Sequence, residues 1–252
     1  MTRKPETIAF WWGRLPHWEV VDGRYFVTLH LSGAIPEQGQ ERIHQLSEEL
    51  HRLPADDLEG RLRISRHIFA EMEEWLDRAA PRSYLQEPAI AEMVMESIAF
   101  RQQRDWNMFE FVVMPTHLHL FFEVLRGSLK TVMEQFKRWT GHEAAKLADL
   151  DGGRFWQDEW FDHWSRSDEE DERTTRYIRR NPEKARLVSR YLDWPYGSWQ
   201  TGSSREPSGS RSGEPSGSRS GEPSGSRSGE PSGSRSGEPS GSRSGEPSRT
   251  ER

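Results

Sequence analysis

The residues best suited to chemistry lie in two short stretches. In FVVMPTHLHLFFEV, residues 111–124, His117 and His119 sit one residue apart within an otherwise apolar run. On a strand, positions i and i+2 face the same way, so both imidazoles project together while Leu118 and Leu120 point to the opposite side and anchor the strand. That is bidentate geometry for a metal facing a cleft, each neutral ring offering one nitrogen. The same spacing also suits two hydrogen-bonded histidines on a half-exposed strand, and H-x-H alone does not separate the two. In the second stretch, RYIRRNPEKARLV, Tyr177 and Asn181 are four residues apart, so on a helix they share a face and their polar tips can converge on one site. Arg173, Arg176, Arg179 and Arg180 surround the tyrosine; they suit nucleic-acid phosphates, or simple solvation on an exposed helix. The chain has no cysteine, which excludes thiolate catalysis, disulfides and Cys-based metal sites. Any metal must be held by His, carboxylate or amide oxygen.

The elements that must position these groups can be read from periodicity. YFVTLHLS, residues 25–32, alternates and is rich in aromatic and β-branched residues, so it reads as a strand closed by Gly33 and Pro36. Residues 38–78 have helical spacing interrupted at Pro54, with Leu58, Leu62, Ile64, Ile68, Met72 and Trp75 on one side. This predicts two helices. A third helix is expected over 88–103, opened by Pro88 in its first turn. Residues 106–113 and 116–124 are β-rich runs separated by Met-Pro, an antiparallel hairpin with the histidines on its second strand. Ser128 can cap a helix carrying Leu129, Val132, Met133 and Phe136. FWQDEWFDHW reads as extended, and a last helix starts near Asp168 and ends near Asn181 and Pro182. The expected class is α+β, with helices packed on a mainly antiparallel sheet.

From Gly202 the composition changes to tandem EPSGSRSG, which has no apolar residue to bury. The expected organisation is a folded part over 1–201 and a disordered tail over 202–252, because ordering costs roughly 1–2 kcal/mol per residue with no hydrophobic return. The tail holds 8 Arg and 7 Glu; taken from the chain's 35 Lys+Arg and 41 Asp+Glu, that leaves 27 and 34 in residues 1–201. The folded part is therefore acidic, which argues against a general nucleic-acid coat but leaves room for the local basic run over 173–190. No window approaches a bilayer span, and the apolar run near the N-terminus breaks after four residues, so a cytoplasmic, nucleoid-associated location without membrane contact is expected.

MPTHLHLFF followed by FKRWTG, FWQDEWFDH and YIRRNPEKARLV resembles the single-tyrosine HUH transposases, most closely the REP-associated tyrosine transposases. LPHWEVVDGRYFVTLHL and YLQEPAIAEMVMESIAF resemble the family's N-terminal portion, so the similarity runs in order over about residues 8–199. The resemblance implies a ferredoxin-like or RRM-like sheet, a divalent metal (Mg2+ or Mn2+) on His117, His119 and Asn181, and Tyr177 as nucleophile. It further implies single-stranded, hairpin-forming repeat DNA as partner, cut to leave a 5′-phosphotyrosine and a free 3′-OH. Asn181 stands where relatives often have Gln, and Thr116 where the usual motif has Asn. Whether the site is built in one chain or across a homodimer is left open. The chemistry is coherent in itself: a divalent cation polarises a phosphodiester, and a phenol, with pKa about 10, attacks and later leaves more readily than an alkoxide.

Other readings bear on these and neighbouring residues. A DNA-binding protein that has kept the fold without cleavage would use the same basic helix. Glu123 shares the strand parity of the histidines and gives the H-x-H-x-x-x-E spacing of a cupin-like metalloenzyme, but cupins need surrounding glycines and a nearly all-β chain. Trp11, Trp12 and Trp18 could stack unpaired bases, whereas most of the 11 tryptophans are expected in the core. For His163, in FDHW, a structural hydrogen bond is the default.

Overall fold

The computed structural model describes residues 3–54, 56–78, 83–150 and 153–201. The EPSGSRSG tail, expected to be disordered, lies outside the described residues. Two strands, β1 (Thr7–Trp12) and β2 (Pro16–Val20), form an antiparallel hairpin near the N-terminus. The periodicity reading passed over this hairpin; β1 is largely exposed and offers no clean alternation.

The central strand β3 (Arg24–His30) is followed, after Gly33 in a left-handed turn (φ +80°), by the antiparallel helices α1 (Glu37–Arg52) and α2 (Leu58–Leu76). The break at Pro54 falls between them as expected. Asp57 caps α2 by accepting from the Gly60 N–H at 2.9 Å. Ile64, Ile68, Met72 and Leu76 form the buried stripe of α2, whereas Leu58, expected in it, is exposed because it is the helix's first residue. Helix α3 (Pro88–Arg101) opens on its proline. The hairpin β4 (Trp106–Val113) and β5 (His117–Val124) then leads to α4 (Leu129–Leu147), whose Ser128 cap accepts from Thr131 N at 3.1 Å. Of the long aromatic run only β6 (Phe161–Trp164) is a strand, with a single bridge from Trp156 to Leu31. The last helix, α5 (Asp168–Lys184), carries Tyr177.

The main sheet has the order β4-β5-β3-β6, every pair antiparallel. Taken with the chain order, this is the β-α-β-β-α-β arrangement of a ferredoxin-like α+β fold. Among the described residues, an open four-stranded sheet with five α-helices is not the cupin architecture. One face, with Leu118, Leu120 and Phe122, packs on α3 and α4; Trp106 joins Phe122 (5.1 Å between rings) to Phe136 of α4 (5.4 Å). The other face, with His117, His119 and Phe121, lies under α2 and α5. Both faces are covered, which is why β4 and β5 are buried over nearly their whole length. Among the described residues no helix is long and apolar enough to cross a membrane.

Candidate metal centre and nucleophile

Strand parity does what the sequence suggested for the two histidines. His117 and His119 project from one face of β5, 4.7 Å apart between ring centroids, and the flanking leucines are buried on the other face. The setting is more enclosed than a cleft, with His117 2% and His119 0% exposed. Helices α2 and α5 close over the sheet here, and Phe26 of β3 stacks on His119 at 5.4 Å.

Each ring is oriented from behind by a threonine. Thr116 Oγ1 donates toward Leu76 O (3.4 Å) and lies 2.9 Å from His117 Nδ1, so Nδ1 carries the proton and Nε2 keeps its lone pair. Thr28 Oγ1 lies 2.9 Å from Nδ1 of the second ring, His119. Thr116, at the position where the resembled motif has Asn, thus orients a ring. Burial drives both imidazoles toward the neutral form, His117 down to about 3, reinforced by neighbouring His30 and Lys184. His119 is lowered by burial, His117 and Lys184, with Asn181 opposing.

Sequence reading missed the third member, Glu73 of α2. Its Oε1 lies 3.6 Å from His119 Nε2, and one ligand atom each from Glu73, His117 and His119 fall within 4.8 Å of one another. Glu73 is 4% exposed; burial raises its carboxyl to about 8 against the lowering effect of Lys184, which is bonded to Asp77 at the ends of the two helices. Its other oxygen, Oε2, accepts a hydrogen bond from the Tyr177 hydroxyl. Tyr177 stands 5.5 Å from the His119 ring. Asn181, one turn on and buried, uses Nδ2 to donate to Tyr177 O at 3.3 Å.

His117 Nε2, His119 Nε2, Glu73 Oε1 and Asn181 Oδ1 are buried without a hydrogen-bond partner. Each such atom costs about 1–3 kcal/mol, so four together point to an occupant. Two imidazole nitrogens, a carboxylate oxygen and an amide oxygen fit a divalent cation, and the nitrogens favour Mn2+ over Mg2+. Glu123 is not part of this group.

The arginines divide. Arg179 Nε bonds the buried Glu110 at 2.8 Å, and Ser198 donates to the same carboxylate, so Arg179 is engaged inside the fold. Arg173, Arg176 and Arg180 are exposed and form no ion pair among the described residues. The N-terminal tryptophans have internal partners: Trp11 stacks on His17 at 5.0 Å, Trp12 meets His51 edge-on at 4.5 Å, and Trp18 donates to Thr7 Oγ1 at 2.9 Å. His163 Nε2 pairs with Glu170 at 2.9 Å, the expected structural bond.

Residues 81–181 match the family model described as transposase IS200 like. This stretch is similar to the IS200-like transposases. A solved structure described as "Structure of the REP associates tyrosine transposase bound to a REP hairpin" is similar at 16% identity, with a TM-score of 0.47, covering 81% of this chain and 95% of that chain. No curated protein matches the chain. The IS200-like stretch runs through α3, β4, β5, α4, β6 and most of α5, and so contains both histidines, Tyr177 and Asn181. It supports a transposase-like, DNA-processing role. Glu73 lies outside it.

Proposed function

We propose that this protein is a divalent-metal-dependent endonuclease and strand transferase for single-stranded, hairpin-forming repeat DNA, with the activity carried by residues 1–201. The observation that supports it most is the convergence of ligand atoms of His117, His119 and Glu73 within 4.8 Å of one another, with the Tyr177 hydroxyl bonded to the same Glu73 carboxylate. His117, His119, Asn181 and Glu73 would hold Mn2+ or Mg2+, which supplies charge neutralisation of the scissile phosphate. Tyr177 Oη attacks the phosphorus, and Glu73 Oε2, already accepting its hydrogen bond, is placed to take the proton. The bond to the 3′ oxygen breaks, leaving a 5′-phosphotyrosine and a 3′-OH once that oxygen is protonated. The reverse attack rejoins strands without ATP, since one phosphodiester replaces another. Arg173, Arg176 and Arg180 lie on the exposed side of α5, where phosphates of the bound strand would pass.

The test is a denaturing gel for a DNA-linked protein band after incubation with hairpin-bearing single-stranded DNA and Mn2+ or Mg2+. The wild-type chain and one ending at Thr201 should give the band, and Tyr177→Phe should not. DNA binding without a band would favour a binding protein that does not cleave. A band that persists in Tyr177→Phe would show the nucleophile to be another residue.

A further inference from the structure

Beside Tyr177, between α2 and α5 and above β3 and β6, lies a pocket of about 210 Å³. Its floor is aromatic: Phe69 meets Phe26 at 5.4 Å and 85°, Phe161 at 5.1 Å and 32°, and Tyr177 at 5.5 Å and 66°. Phe26 and Phe161 are buried beneath, whereas Phe69 and Tyr177 are half-buried and line the pocket. The lining includes two guanidinium groups, Arg66 of α2 and Arg173 of α5, both exposed and neither in an ion pair among the described residues. Glu170, the acid among the lining residues, is held by His163 (2.9 Å) and by the Arg166 N–H (2.7 Å) and pairs with neither arginine. An aromatic floor under unpaired cations calls for a ligand that is both a flat heterocycle and an anion.

We propose that this pocket seats one unpaired nucleobase of the strand being cut, next to the phosphate that Tyr177 attacks, with Arg66 and Arg173 on the adjoining phosphates. This rests on the function proposed above. The volume is enough for one heterocycle, and a base must be free of its pairing partner to turn a ring face onto this floor, so unpaired DNA is the expected ligand. Its polar wall groups include the hydroxyls of Ser65 and Thr174, which can donate or accept, and stacking is tolerant of base identity, so little sequence preference is expected.

The experiment measures binding of the full-length Tyr177→Phe chain, in Mg2+, to a 12-residue oligothymidylate and to a 12-residue abasic deoxyribose-phosphate oligomer by fluorescence anisotropy. Stacking of one base predicts about 5- to 150-fold tighter binding of the oligothymidylate. Adding Phe69→Leu, which keeps an apolar side chain but removes the ring, should reduce that ratio at least about fivefold, and Phe69→Tyr should restore it. The proposal is overturned if Phe69→Leu leaves the ratio unchanged, if the two oligomers bind equally, or if neither binds. Any of these alongside a persisting DNA-linked band in the wild-type chain removes only the pocket. Loss of the band as well removes the function on which it rests.

Discussion

An imidazole nitrogen buried without a partner destabilises the chain unless something fills the gap, so the unpartnered atoms of His117, His119, Glu73 and Asn181 should make stability respond to cations. We expect Mn2+ to raise the melting temperature of the wild-type chain, with Mn2+ affinity measured by electron paramagnetic resonance of the free ion. Loss of an outer partner of a metal-binding histidine costs about 10- to 100-fold in affinity, so Thr28→Val should fall in that range and Glu73→Gln should lose at least as much. Unchanged Mn2+ affinity in Glu73→Gln would remove Glu73 from the ligand set. The histidines were legible because strand parity needs only two residues, and Leu118 and Leu120 fix which face is which. Glu73 was not: AEMEEWL offers Glu71, Glu73 and Glu74, and helical phase known to within a residue cannot say which one turns inward. Thr28, some ninety residues from the ring it orients, has no local signal at all.

Among the elements, α5 matters most because it carries both Tyr177 and Asn181. Its start is well marked: Ser167 accepts from Glu170 N at 3.2 Å, and Asp168, Glu169, Glu170 and Asp171 fill the first turn, where the helix dipole favours negative charge. Ser167→Ala should therefore lower unfolding free energy by about 1 kcal/mol in urea titration. A cost near zero would mean that Asp171, buried against Arg3 (2.8 Å) and Arg24, holds the helix end without the cap. The expected end near Pro182 was early. The proline forfeits only its own N–H bond, and the turn continues through Ala185 N to Asn181 O and Leu187 N to Pro182 O, both at 2.9 Å. Strand β4 carries a feature that alternation could not show. A bulge between Met108 and Glu110 shifts the register, so Glu110 comes to the face under α2 and α5, where Arg179 meets it.

At the scale of the molecule, helix number, the β4–β5 hairpin and the α+β class followed from periodicity, whereas the strand order required the long-range register of β3 with β5 and β6. The N-terminal hairpin is fastened to that sheet by His17 of β2, which is buried against Asp162 of β6 and lies 3.2 Å from Glu159. Burial alone would lower the His17 pKa, but the hydrogen bonds and charges of Asp162 and Glu159 outweigh it and raise it from 6.5 to about 9. A raised folded-state pKa means the charged pair stabilises fully below about pH 6.5, and that contribution is lost as pH rises through about 9. Two other groups titrate nearby in pH: Glu73, raised to about 8, also removes stability with rising pH, and Lys137, lowered to about 8 by burial, restores some above that value. The difference in unfolding free energy between wild type and His17→Gln cancels both and isolates His17. That difference should shrink between pH 6.5 and 9 by on the order of 3 kcal/mol, in denaturant titrations across that range. A difference that stays flat would mean that His17 is held neutral by its burial between Trp11 and Trp160, and that apolar packing alone attaches the hairpin.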